Sequence, residues 1–167
     1  MLLELPPLLG AARLYASGLG LIVYSYDLRQ ALVAAESEGE RLLLYDRSLK
    51  EGRAVRIGTG SPQLYYELLF SDQALPTTAP IIAQTRFGLR LEGNNVGVCD
   101  GYAELDWSDC DYQHESVPLS PGLFRVDAYY LTGSRHPGDD MLVFFQLTAV
   151  ETLADLPTGT VELFFVV

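Results

Sequence analysis

The sequence predicts a mainly β fold of the α+β class, an antiparallel β-sandwich or barrel-like domain with one packed helix. Short runs of β-branched and aromatic residues recur at roughly regular spacing between Gly, Pro and Asn turn signals, above all from Pro80 onward. Only residues 28–38 show a clear helical period. At 167 residues with 49% hydrophobic and 20% charged side chains, the chain has enough apolar material for one core, and no low-complexity linker divides it. A single domain over residues 1–167 is the expectation.

The first strand is LGLIVYSY, Leu19–Tyr26, after a Gly-containing turn. Asp27 stands where an N-cap belongs, and LRQALVAAESE places Leu28, Leu32 and Ala35 on one helical face, with Gly39 as a stop. RLLLYD, Arg41–Asp46, reads as a short buried strand. Across residues 49–62, Val55 and Ile57 share a face, and the glycines with Pro62 predict a hairpin or surface loop. LYYELLF, 64–70, reads as a strand for its aromatic content, followed by the loop SDQALPTTAP.

PIIAQTRF and GLRLEG are short strands on either side of Gly88, and GNN before Val96 is a turn. AELDW alternates Ala103, Leu105 and Trp107 inward with Glu104 and Asp106 outward, as in a half-buried strand. A Pro-Gly turn leads into LFRVDAYYL, where Phe124, Val126, Ala128 and Tyr130 form one face and Arg125, Asp127 and Tyr129 the other. MLVFFQLTAV and GTVELFFVV are the last strands.

Charge is distributed unevenly. Residues 1–83 hold seven basic and nine acidic side chains, residues 84–167 four and thirteen, within a net charge of −11. Between Arg90 and Arg125 lie Glu92, Asp100, Glu104, Asp106, Asp109, Asp111 and Glu115, with no basic residue. Such a surface repels phosphate backbones, so the expected partner is a basic protein and not nucleic acid. Acidic surfaces also serve solubility alone. The amino-terminal MLLELPPLLGAARLYASG has no basic n-region and no run long enough to span a bilayer, so the expectation is a cytoplasmic chain without membrane association.

VCDGYAELDWSDCDYQHE, residues 98–115, concentrates the candidate chemistry. Cys99 and Cys110 lack the further ligands of a zinc set, and reduced thiols are expected unless their strands lie side by side. A Cys–His nucleophile would need His114 as base, and Glu104 with Asp106 would need a desolvating cleft to act as an acid–base pair. Asp106, Asp109 and Asp111 offer hard oxygens for calcium, but the D-x-[DN]-x-[DN]-G pattern is absent and Trp107 and Tyr112 interrupt the row. GTGSPQ, 58–63, has no lysine for a phosphate loop and reads as a turn; SRHPGDD, 134–140, reads as a hairpin tip. No cofactor and no catalytic or metal-ligating set is expected. The stretch reads best as a partner-binding surface of Tyr102, Glu104, Asp106, Asp109, Asp111, Tyr112 and Glu115, exposed tyrosine among acids being a composition that protein interfaces favour. The alternative is a small enzyme or a calcium-dependent binding protein using residues 99–115.

LPTTAPIIAQTRFGLRLEG, then PLSPGLFRVDAYYL, then MLVFFQLTAV together resemble the competence protein J-type family of small bacterial nuclease inhibitors. The shared layout is a strand pair, an apolar Pro-Gly turn into a strand ending in aromatics, a loop and a final β run. The resemblance implies a non-enzymatic, immunity-like inhibitor that binds a nuclease and neutralises it.

Overall fold

A computed structural model describes residues 4–17, 20–59, 64–108, 113–132, 141–162 and 164–165. The chain forms two packed sheets with a helical layer on one of them. The six-stranded sheet has the order β1 (Gly10–Ala16), β4 (Leu64–Ser71), β9 (Met141–Ala149), β8 (Gly122–Leu131), β5 (Ile81–Leu91), β11 (Phe164–Phe165). The five-stranded sheet has the order β10 (Gly159–Glu162), β3 (Ala54–Gly58), β2 (Gly20–Ser25), β6 (Asn95–Asp100), β7 (His114–Pro118). This is the expected mainly β, α+β class, with two differences. The sheets are mixed, since β4 runs parallel to β9 and β10 parallel to β3, and they do not close into a barrel.

Strand parity decides which side chains enter the core. Leu21 and Val23, Val55 and Ile57, and Val96 and Val98 face the six-stranded sheet, whose Leu68, Phe70, Phe87, Leu89, Val126 and Phe145 answer them. As the alternation in LFRVDAYYL requires, Val126 and Ala128 are buried there with Phe124 and Tyr130 packed against them, while Asp127 points outward to Arg86 and Arg125. A second cluster fills the space between the five-stranded sheet and the helices, and a third, on the outer face of the six-stranded sheet, packs Leu69, Leu131, Leu142 and Phe144 against Leu5, Leu8 and Leu75.

Two helices pack on the sheet where one was expected. Helix α1 (Asp27–Ala34) buries Leu28 and Leu32 as its period requires, but stops before Glu36. Helix α2 (Glu38–Glu51) then absorbs Arg41–Asp46, expected as a strand. Its start is a reciprocal cap: Ser37 Oγ accepts the Glu40 N–H at 3.1 Å, and Glu40 Oε2 accepts the Glu36 N–H at 3.2 Å. Its end is Gly52, left-handed at φ 78°. Tyr45, Ser48 and Leu49 form the buried stripe, so LLLY lies within a helical period that a local reading of the apolar run obscures.

Further corrections concern the strands. Residues 54–58, expected in a hairpin or surface loop, form β3, between β10 and β2. Ile81–Leu91 is one strand through Gly88, where the missing side chain admits Leu153 and Leu156 of the crossing loop. GTVELFFVV divides, β10 joining one sheet and β11 the other. AELDW is not a strand: Gly101–Leu105 is a 3-10 helix capped by Asp100, whose Oδ1 accepts the Tyr102 N–H at 3.1 Å. Edge strand β1, unassigned from sequence, has part of its outer backbone satisfied by Gln113, which accepts the Tyr15 N–H at 2.9 Å and donates to the Arg13 carbonyl at 3.1 Å. Among the described residues no helix is long and apolar enough to cross a membrane.

Candidate functional site

Strand β6 delivers Cys99 and Asp100 to one end of the five-stranded sheet, the 3-10 helix carries Tyr102 and Glu104 across its outer face, and β7 returns with His114 opposite Cys99. Asp109, Cys110, Asp111 and Tyr112 lie outside the described residues, as do Ser134–Asp140 and most of GTGSPQ.

Trp107 organises the buried side. It is 1% exposed, and its ring lies 5.3 Å from that of Tyr24, 5.5 Å from Tyr45 and 5.8 Å from His114. Arg29 Nε donates to the Trp107 carbonyl at 3.2 Å, tying the segment to α1. Tyr24 is fully buried because Gly97, its cross-strand partner, leaves room for the ring: a Cβ there would stand 2.5 Å from Tyr24 Cζ. Tyr24 Oη and His114 Nδ1 share a hydrogen bond of 2.7 Å, while His114 Nε2 is buried without a hydrogen-bond partner among the described residues. Burial lowers the His114 pKa to about 4, with Arg29 adding to the shift, and raises that of the Tyr24 phenol.

The same physics defines what Cys99 can do. Burial, reinforced by the Asp100 charge, pushes its thiol well above the ordinary cysteine value, and the adjoining imidazole has little affinity for a proton. A low-pKa thiolate needs an electropositive, partly exposed setting, so Cys99 and His114 do not form an activated nucleophile. Cys99 is a buried free thiol.

The acidic residues divide by environment. Asp100 is buried, its Oδ2 accepting from the backbone N–H of Ser17 at 2.8 Å and from Ser17 Oγ at 2.7 Å. Glu104, expected to face solvent, is 30% exposed at its side chain; it accepts from Tyr45 Oη at 3.0 Å and pairs with Arg56 Nη1 at 3.1 Å. Asp106 is exposed, and the Ser108 hydroxyl and N–H, at 2.6 and 3.0 Å, hold its carboxyl below the usual range. Tyr102 is 47% exposed, and Glu115, half-buried, accepts from Gln113 Nε2 at 2.7 Å. Tyr129 lies on the six-stranded sheet, away from this surface. Among the described residues no three His, Cys, Asp or Glu side chains converge as metal ligands.

Sequence reading missed Tyr24, Tyr45 and Arg56, the groups that hold this stretch. Tyr24 shares the parity of Ile22, and Arg56 alternates with Val55 and Ile57, so both point to the helical side of the sheet. That signal becomes readable only once residues 54–58 are recognised as a strand between two sheets' worth of packing.

No protein-family model matches the sequence, and no curated protein matches it. Two solved structures align with most of the chain. The crystal structure of ComJ, inhibitor of the DNA-degrading activity of NucA from Bacillus subtilis, aligns over 84% of this chain and 96% of its own, with a TM-score of 0.52 and 8% identity. The likeness is one of fold. The crocagin biosynthetic gene J product aligns over 81% of this chain and 94% of its own, with a TM-score of 0.49 and 13% identity. The segments that carry the sequence resemblance, 75–93, 118–131 and 141–150, contain β5, β8 and β9, neighbours in the six-stranded sheet.

Proposed function

We propose that this protein is a cytoplasmic, non-enzymatic inhibitor that neutralises a basic protein, a nuclease being the partner class. The observation that carries the reading is the ComJ-like fold across most of the chain, since ComJ inhibits a DNA-degrading activity. Charge supports it independently. A nuclease surface that holds phosphates is basic, and an acidic face opposes it by long-range attraction and competes with the substrate. Tyr102, Asp106 and Glu115, with Asp109, Asp111 and Tyr112, are the residues assigned to that face. Glu104 contributes by anchoring the 3-10 helix to Arg56.

The test begins with isolation of the partner from the native cell, followed by DNA degradation with and without stoichiometric inhibitor. Inhibition at one equivalent, with an association rate that falls as salt is added, is the expected result. In a variant carrying Asp106→Asn, Asp109→Asn, Asp111→Asn and Glu115→Gln, association slows and the salt slope flattens. Stability of that variant stays within about 1 kcal/mol of wild type. An isolated partner with no nuclease activity overturns the nuclease reading; equal rates and equal salt slopes overturn the acidic face.

A further inference from the structure

The helical layer carries a surface that neither the core nor the acidic stretch explains. Leu43 is 69% exposed, Leu42 58% and Val33 44%, although α1 and α2 bury their other large aliphatic side chains at least in part. Three exposed carboxylates, Glu36, Glu38 and Glu40, surround the turn between the helices. Arg41, whose Nε donates to the Leu32 carbonyl at 2.9 Å, and Arg29, whose Nε donates to the Trp107 carbonyl, are half-buried and offset two of these three charges, so the rim keeps a net negative charge. Further along α2 the charge is mixed, with Arg47 exposed and Lys50 paired to Asp46 at 3.2 Å. A groove of about 510 Å³ runs beside α1 from Val33 and Ala34 to Ser108, next to Asp106.

We propose that the exposed leucines of α2, with Val33 and the Glu36–Glu40 rim, form a docking surface for a basic protein, an apolar patch edged by Lys and Arg being its complement. Exposed aliphatic residues on a soluble helix gain free energy only when a partner covers them, and a carboxylate rim favours a cationic neighbour while two copies of this tip repel. The surface rests on the reading of a basic partner and deepens it: the groove links the helical tip to Ser108, so one partner can span the tip and the exposed acid at Asp106.

The probe is a synthetic leucine–lysine amphipathic helix, titrated into isotope-labelled full-length protein by NMR, with a leucine–glutamate helix as counter-probe. Shifts concentrated at Val33 and from Glu36 to Leu43 with the cationic helix only are expected. Leu42→Gln with Leu43→Gln, which removes the apolar side chains while keeping strong helix formers in α2, weakens that binding by about tenfold or more. Equal binding to wild type and variant, shifts confined to residues 102–115, or no binding overturns the proposal. Once a nuclease partner is in hand, inhibition insensitive to the double substitution overturns the docking surface alone. Mapped peptide binding without any nuclease inhibition overturns the nuclease reading and leaves the surface standing.

Discussion

Replacing Trp107 by alanine tests whether the segment after β6 is built into the fold or merely lies on it. The indole is almost wholly enclosed by Tyr24, Tyr45, His114 and Ala103. Burying a tryptophan removes roughly 200–250 Å² from water, which at about 25 cal/mol per Å² gives an upper bound near 5–6 kcal/mol. Residual burial in the unfolded chain reduces this, and large-to-small core substitutions of tryptophan cost about 3–5 kcal/mol. A loss of about 4 kcal/mol is therefore expected for Trp107→Ala, and a smaller one for Trp107→Phe, which keeps a ring against Tyr24. Because Trp107 is the only tryptophan, its own fluorescence cannot follow the variant, and urea unfolding should be read by far-UV circular dichroism. A change below about 1 kcal/mol at unchanged denaturant dependence would refute the enclosed packing, since no surface position loses an indole at that cost and no buried one escapes it.

Two further outcomes follow from the same cluster. The folded His114 pKa of about 4 lies below the unfolded value near 6.5, so the unfolded chain binds a proton the folded one refuses. Stability is complete above about pH 7 and declines as pH falls toward 4, by on the order of 2 kcal/mol after allowance for partial solvent screening; urea midpoints of wild type and His114→Gln across that range should diverge, and parallel curves contradict the assignment. Gly97→Ala drives a methyl group into a Tyr24 ring held between Trp107 and His114, and a fall of about 1–3 kcal/mol is expected, whereas an unchanged urea midpoint would mean the ring is free to move.

The sheet core was legible because period-two alternation has few competing explanations. Phe124, Val126, Ala128 and Tyr130 cannot share a helical face, and they line the core together. Elsewhere two periods coincide. Ala103 and Trp107 are four residues apart and so satisfy both a strand's parity and a helical turn; the Asp100 cap decided for the 3-10 helix. LLLY is apolar throughout, and the information that makes it helical lies outside it, in Ser37, Glu40 and Gly52. Strand β1 reads GAARLYA, with small residues where a strand signal would need bulk; its tertiary setting explains them, since a Cβ at Gly10 would collide with Val117 of β7. The exposure of Tyr102 and Asp106 could be read locally, but the anchoring of Glu104 depends on residues 59 and 48 positions away.

The division of charge along the chain is partly undone by folding, and this bears on which acids can act on a partner. Arg53, which caps the end of α2, pairs with Glu92 at 3.4 Å, and Arg56 pairs with Glu104 at 3.1 Å, so arginines of the less acidic half fold onto the base-free interval. Asp100 is turned to Ser17 and the 3-10 helix. Glu92 and Glu104 are thereby compensated by cations close at hand, and at a distance beyond about 10 Å in physiological salt such a paired charge adds little to the field a partner meets, while Asp100 is buried out of a partner's reach. Among the described residues Asp106 has no such cation in contact; its donors are the neutral groups of Ser108, which stabilise the charge without cancelling it. An amide at Glu104 would therefore disturb the anchor of the 3-10 helix and confuse folding with recognition, whereas an amide at Asp106 removes charge where solvent and partner both have access. The distinction between acids that build the site and acids that present it belongs to the tertiary structure, because both kinds occur within the seven residues of sequence from Asp100 to Asp106.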